Sequence, residues 1–330
     1  MKKLMVFIVA LALTCMFSKM ASADLTDGLA AYYPFNGNAN DESGNGNNGT
    51  VYGATLSSDR FGNLNSAYSF DGIDDYVRIP DSDSLDITGD LTISAWLNTD
   101  TSDFSIIFSN VLQVSPHDGY SLEISQGKVR FMSGDQLFYG NTQLNTGTWK
   151  HIAVTLSGTT ATSYVDGVFD SSGTVGIPTT NTIDQTIGAS DLPFYFFQGI
   201  IDDIRIYNRA LSEVEIQELQ TLNVDIYIKP NSFPNSINLK SKGNVPVAIL
   251  SSPTFDAATV DRGTVEFAGA RALAIGGTPE DVNGDGLLDL VLHFSTQSLN
   301  LKPGDTEACL TGKTLSEQEF EGCDSVNIVK

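Results

Sequence analysis

Basic residues are scarce in this chain: 18 Lys and Arg stand against 40 Asp and Glu, a net charge of -22. Such a surface repels phosphate backbones, which excludes nucleic acid as a partner and fits a soluble extracellular protein that takes up divalent cations. Histidine is scarcer still. His117, His151 and His293 are the whole set, and no Gly-x-Ser-x-Gly elbow accompanies them, so a nucleophile beside its base is missing. Past Phe17 no apolar run approaches the roughly 18 residues of a membrane helix, so no membrane span is expected. A repeat of fixed period is absent too, which argues against a propeller or solenoid. Cysteine occurs only as Cys15, Cys309 and Cys323.

What is present begins with a leader. Lys2 and Lys3 precede the apolar run Leu4 to Phe17, and Ala21-Ser22-Ala23 supplies small residues for cleavage. This is the layout of a secretory signal peptide over residues 1–23, with a mature chain from Asp24 and a secreted or cell-surface destination. Cys15 falls in the discarded part, and Ala12 and Thr14 stand where a lipoprotein cysteine needs Leu and a small residue. Two cysteines then remain in an exported chain, which predicts a Cys309–Cys323 disulfide. Closing so short a loop contributes about 3 kcal/mol in the chain-entropy model.

From Asp24 to Leu222 short alternating strands are broken by Gly, Asn, Asp and Ser clusters, the pattern of an all-β sandwich. Leu91–Leu97, Tyr120–Ile124, Val129–Phe131, His151–Leu156 and Ser163–Val165 are the clearest strands, and Asp71-Gly72 and Asp166-Gly167 are turn dipeptides. One helix is expected: Ser212-Glu-Val-Glu215 is a capping box opening a segment to about Gln220, with Val214, Ile216 and Leu219 toward the sandwich. Beyond Asn223 a second, smaller β-rich unit, residues 223–330, is punctuated by Pro230, Pro234 and Pro246.

Residues 281–289 read Asp-Val-Asn-Gly-Asp-Gly-Leu-Leu-Asp. Oxygen side chains fall at alternate positions (Asp281, Asn283, Asp285) and at Asp289, and Gly286 permits the turn that brings the Leu287 carbonyl inward. The spacing predicts a calcium loop, calcium being the one cofactor expected; the rival reading is a polar turn without an ion. An EF-hand would need Glu at position 12, where Leu292 stands, and the following Leu-Val-Leu-His-Phe is a strand. The loop resembles the calcium loops of integrin-type FG-GAP repeats, which also lack that Glu.

Tyr33-Pro-Phe35, Asn40 to Gly46, Ala67 to Gly72, Asp75-Tyr-Val77, Thr148 to Thr155, Tyr164 to Gly167 and Gly199 to Ser212 resemble, in order, the LamG-like jelly roll of the concanavalin A-like lectin/glucanase group. The resemblance implies a concanavalin A-like jelly-roll sandwich over 24–222, though some members carry a disulfide there and this segment has no cysteine. In related jelly rolls an acid on the closing strand often helps hold a structural calcium. Asp202, read in phase with Ile200, Ile204 and Ile206 and therefore core-facing, is such an acid, with Asp71 and Asp41 as companions. Burial alone does not choose between a metal and hydrogen bonds for it.

The group holds glycosidases, lectins and protein-binding modules alike, so function must come from residues. The Glu-x-Asp-x-x-Glu strand of related glucanases is missing, and between Asp24 and Arg209 the only glutamates are Glu42 and Glu123. Asp74-Asp75 and Asp202-Asp203 are adjacent and would point to opposite faces of a strand. No catalytic residue is therefore assigned. His151 and His293 read as packed, hydrogen-bonded residues and His117 as a loop residue that could contact ligand. Phe194-Tyr-Phe-Phe197 supplies ligand-contact candidates Phe194 and Tyr195, although alternation would bury half the cluster and packing between domains would bury it all. The expected function is calcium-dependent binding of a glycan or an extracellular-matrix or surface protein; a structural adhesion component with the jelly roll as spacer is the alternative, and a polysaccharide hydrolase is disfavoured.

Overall fold

The computed structural model describes residues 25–111, 117–190, 194–252, 255–315 and 318–329; the leader expected at 1–23 lies outside them. Alternating apolar residues between Gly- and Asx-rich turns form a first set of strands: β1 (Leu29–Tyr33), β2 (Thr50–Tyr52), β3 (Thr55–Ser57), β4 (Ala67–Asp71), β5 (Tyr76–Ile79), β6 (Leu91–Asn98), β7 (Ser105–Val111) and β8 (Gly119–Ser125). They continue as β9 (Lys128–Ser133), β10 (Gln136–Tyr139), β11 (Trp149–Ser157), β12 (Thr160–Val165), β13 (Val168–Thr174), β14 (Gln185–Ile187) and β15 (Gln198–Tyr207). The Asp166-Gly167 pair joins β12 to β13 with φ of 48° and 70°, the two positive values that a tight hairpin turn requires.

These strands make two antiparallel sheets facing each other. One has the order β13-β12-β11-β6-β15-β4-β3, and β15 spends its second half against β1. The other runs β10-β9-β8-β7-β14-β5-β2. Leu91, Ile93, Ala95 and Leu97 of β6, with Ile152, Val154 and Leu156 of β11, meet Leu122, Ile124, Val129 and Phe131 from the opposing sheet in one buried core. Helix α1 (Glu213–Glu218) packs on the outer face of the first sheet, setting Leu211, Ile216 and Leu219 on Ala153, Tyr164 and Tyr207. Its capping box is formed, with Glu215 N donating to Ser212 Oγ at 3.3 Å and Ser212 N to Glu215 Oε2 at 2.7 Å. Val214, expected on the packed face, is exposed; Leu211, just before the helix, takes that place.

The second domain adds β16 (Leu222–Asn223), β17 (Ile226–Ile228), β18 (Ser236–Asn238), β19 (Asn244–Ile249), β20 (Val260–Phe267), β21 (Ala270–Glu280), β22 (Asp289–Ser295), β23 (Glu307–Thr314), β24 (Glu319–Ser325) and β25 (Asn327–Val329). Eight of these form a sheet of order β16-β24-β23-β20-β21-β22-β19-β17, and β18 pairs with β25. The sheet curls until Gly322 of β24 faces Val224 O and Ile226, too close for any Cβ at that position. Ile226, Val247, Phe267, Leu292, Phe294, Leu310 and Phe320 fill it. On the outer side Cys309 and Cys323, directly opposed on β23 and β24, form the expected disulfide. The segment leaving α1 is held: β16 runs parallel to β24, Val224 N donates to Glu321 O at 2.9 Å, and Gln318 Nε2 donates to Gln220 O.

Candidate functional site

Alternation along β8 and β9 sends Leu122, Ile124, Val129 and Phe131 inward and turns Ser121, Glu123 and Arg130 to the outer face of the seven-stranded sheet. There Glu123 and Arg130 are direct cross-strand partners and form an ion pair, with Ser121 Oγ also donating to the carboxylate. Burial pushes the Glu123 carboxyl up; Arg130 and Ser121 oppose that rise. The Arg130 guanidinium lies 4.7 Å over the Phe104 ring, and Phe104 meets Tyr195 edge to face at 4.7 Å. Main-chain bonds fix Tyr195 in place: Ile106 N donates to its carbonyl at 3.0 Å, and Ser190 N donates to Phe194 O at 3.2 Å. The run 194–197 is not a strand, and Tyr195 has a φ of 60°, so the expected alternation fails. Phe197 is buried against Phe70, while Phe194 is 62% and Tyr195 51% exposed. These two rings stand in solvent and are not packed between domains.

On the outer face of the other sheet, β15 bulges between Asp202 and Arg205, and Asp203 takes a φ of 49°. The extra residue defeats the expected strand phase. Ile201, Ile204 and Ile206 face the core, and Asp202 and Asp203 both turn outward to the same group: Arg60 Nη1 is 3.0 Å from Asp202 Oδ2 and 2.7 Å from Asp203 Oδ2. Tyr32 Oη donates to Asp203 at 2.8 Å, and Arg205 lies 3.5 Å away. Burial and the neighbouring Asp203 hold the Asp202 carboxyl well above the usual range, whereas Asp203, beside Arg205 and Arg60, is drawn down to about 2 against its burial.

Asp202 is not brought together with Asp71 and Asp41. Asp41 accepts four hydrogen bonds within its own turn region, from Tyr32 N, Ser43 N, Ser43 Oγ and Asn47 N. The carboxylates near Asp71 are those of Asp74 and Asp75, within 4.8 Å of one another. Asp75 is buried and accepts from Asp71 N at 2.8 Å, and burial raises its pKa.

In the second domain, residues 281–289 wrap through two left-handed glycines, Gly284 and Gly286 (φ 81° and 89°). Asp281 accepts from Gly284 N and Gly286 N, at 2.7 and 3.0 Å, and Asp285 accepts from Leu287 N at 2.8 Å. Asp289, at the start of β22, is fully buried and accepts from Ser251 N and Val282 N. Each carboxylate oxygen engaged by one N–H keeps a lone pair. The donor set, three carboxylates, the Asn283 amide oxygen and the Leu287 carbonyl, is all hard oxygen of the kind calcium takes, but the Asp281, Asp285 and Asp289 carboxylates are not drawn within 4.8 Å of one another as those of Asp71, Asp74 and Asp75 are.

Residues 71–217 match the family model described as concanavalin A-like lectin/glucanases superfamily, and they span both sheets of the sandwich. The first domain is a concanavalin A-like jelly roll. No curated protein matches the chain. Among solved structures the chain is similar to domain 4 of AbnA, a GH43 extracellular arabinanase from Geobacillus stearothermophilus, in complex with arabinotriose (23% identity, 58% of this chain and 97% of that one, TM-score 0.46). It is similar also to the binding domain of Paraclostridial Mosquitocidal Protein 1 (14%, 87% and 71%, 0.49) and to the binding domain of botulinum neurotoxin serotype D (13%, 89% and 84%, 0.49).

The jelly roll places the histidines apart. His117 sits beside the turn at Asp135, its Nδ1 and its backbone N each 3.0 Å from Asp135 Oδ1. His151 is packed against Trp96 as expected, at 5.3 Å, yet neither ring nitrogen has a hydrogen-bond partner; burial, with Arg205 and Arg60 nearby, lowers its pKa to about 3. His293, in the second domain, is half-buried with Nδ1 unpartnered, so the hydrogen-bonded reading fails there too. Arg60, Phe104 and Arg130 were not among the expected site residues. For Arg130 a signal existed, since Ser121, Glu123 and Ser125 alternate with apolar residues and mark a polar face needing a counter-charge. For Arg60, in a loop 142 residues from Asp202, the sequence offers none.

Proposed function

We propose that this chain is an exported, non-catalytic binding protein whose jelly roll recognises a glycan of the extracellular matrix or a cell surface. The observation that carries the reading is the exposed pair Phe194 and Tyr195, with Tyr195 held by Phe104 and Phe104 in turn by Arg130. Rigid, exposed aromatic faces are what sugar rings stack on and where binding energy concentrates. Catalysis is disfavoured because Glu123 is engaged by Arg130 and the Asp202/Asp203 pair by Arg60, so neither serves as a free carboxyl pair of the glycosidase kind. Asp281, Asn283, Asp285, the Leu287 carbonyl and Asp289 would hold calcium, which stabilises the second domain when bound.

The test is affinity electrophoresis of the mature protein through gels containing arabinan, xylan, galactan or hyaluronan, with reducing-end release followed on the same polysaccharides. At least one polysaccharide retards the wild type, and F194A/Y195A weakens that binding about tenfold or more, each ring contributing about 1–2 kcal/mol. No reducing ends appear. Binding indifferent to both substitutions, or hydrolysis that E123Q abolishes, overturns the proposal.

A further inference from the structure

The second domain contains a cavity of about 410 Å³, lined in part by Val282 of the 281–289 loop. Its wall is the loop from β17 to β18, residues 229–235, and two large rings stand there in solvent, Phe233 at 91% and Tyr227 at 45% exposure. That loop is tightly fixed. Lys229 and Asn231 hold left-handed backbone (φ 53° and 65°), uncommon outside glycine. Ser232 N donates to Lys229 O at 3.0 Å, Lys229 Nζ to Ser236 O at 2.8 Å, and Ile228 N to Asp324 Oδ2 at 3.0 Å. A loop so pinned could turn an aromatic ring inward, and fully burying Phe is worth about 1.5–3 kcal/mol; here it presents the ring to water.

The polar lining carries one charge of each sign and no net charge. The Lys229 ammonium is engaged by Ser236 O, and Asp324 accepts from Ile228 N, Asn235 Nδ2, Ser325 N and Ser325 Oγ. Asn235, buried in the wall, uses its amide group on Asp324 Oδ2 and Ser325 O, both at 2.9 Å, which leaves Oδ1 as its side-chain acceptor. An anion drawn to Lys229 would be opposed by Asp324 and a cation drawn to Asp324 by Lys229, so a ligand of either sign gains no net attraction. Apolar ring faces beside neutral acceptors suit a ligand with C–H faces and hydroxyls, and the volume lies in the range of small-molecule sites. We propose that this cavity is a second saccharide site, for a neutral mono- or disaccharide, separate from the jelly-roll rings.

The experiment is saturation-transfer difference NMR on the full mature chain with maltose, lactose, cellobiose and xylobiose as probes. Using F194A/Y195A as background removes the jelly-roll contact, so the two readings fail separately. At least one disaccharide receives saturation in that background, and adding F233A or Y227A lowers the signal at least threefold with the melting temperature unchanged, since both rings are exposed. No transfer from any of the four in the F194A/Y195A background, or transfer indifferent to both F233A and Y227A, overturns the proposal.

Discussion

Arg60→Met should be the most damaging single change on the outer face of the jelly roll. Arg60 Nη1 bridges Asp202 and Asp203 at 3.0 and 2.7 Å. Without it Asp203 keeps Tyr32 and Arg205, but Asp202 keeps only the N–H of Asp203 at 2.8 Å. Removing one partner of a buried pair costs about 3–5 kcal/mol where the remaining carboxylate is ionised, and less where it takes up a proton. The guanidinium also leaves the rings of Phe61 and Trp96, 4.3 and 4.5 Å away, contacts worth about 0.5–1 kcal/mol each. A loss of about 4 kcal/mol in a domain of this size lowers the melting temperature by about 8–16 °C. The sign with pH follows from Asp202. Its carboxyl is already raised in the folded chain, so the fold holds a proton that the unfolded chain releases near pH 3.9, and stability falls as pH climbs from there to the folded pKa. Removing Arg60 raises that pKa further, so the gap between variant and wild type widens with rising pH. Urea unfolding at pH 5 and pH 8, followed by the fluorescence of Trp96 and Trp149, reads the jelly roll, which holds both tryptophans of the chain. A gap below about 1 kcal/mol at both pH values, or one that narrows as pH rises, refutes the reasoning.

Calcium at a hundredfold excess over its Kd should stabilise the second domain by about 2.7 kcal/mol; calorimetry should show the rise in wild type and its loss in Asp285→Ala, a rise surviving in the variant would place an ion elsewhere, and no rise in either would remove the loop as a site. Cys309→Ser with Cys323→Ser should lower the second domain's stability by about 3 kcal/mol and leave tryptophan-detected unfolding unchanged; equal losses in both signals would contradict two separately folding cores. Gly119→Ala should shift the urea midpoint of the jelly roll sharply, since a Cβ there would lie 1.6 Å from Asn110 O on a backbone with φ 98°. An unshifted midpoint would mean that the β7–β8 edge is not built as described.

The strands legible in the sequence were those where one face is apolar and the other polar, as in Leu91–Leu97 and His151–Leu156, because a period of two is enough to orient them. The capping box at Ser212 was legible because its two partners are three residues apart, and the disulfide because two cysteines remain once the expected leader is set aside. Asp202 was misread for a local reason: one inserted residue reverses the phase of everything after it, and Asp203 carries no glycine to announce the positive φ. The burial pattern of Phe194–Phe197 was misread for a similar one, since alternation was applied to a segment that is not extended. The cavity at Phe233 was invisible because its walls come from 227–235, Val282 and 324–325, and nothing in a linear pattern says which distant turns will meet.

Leu222–Asn223 is a strand of the second sheet, so the jelly roll hands its chain directly into the neighbouring domain with no slack tether between them. A flexible linker would let the two proposed binding surfaces move independently; a connecting segment pinned along β24 limits the spacing between them. With a saccharide on each domain, a polymer whose repeat matches that spacing gains avidity of about 10²–10⁴ over either site, and one that does not match binds at a single site only. Selectivity between polysaccharides of the same sugar would then be set by spacing along the polymer, a property that neither site measures by itself.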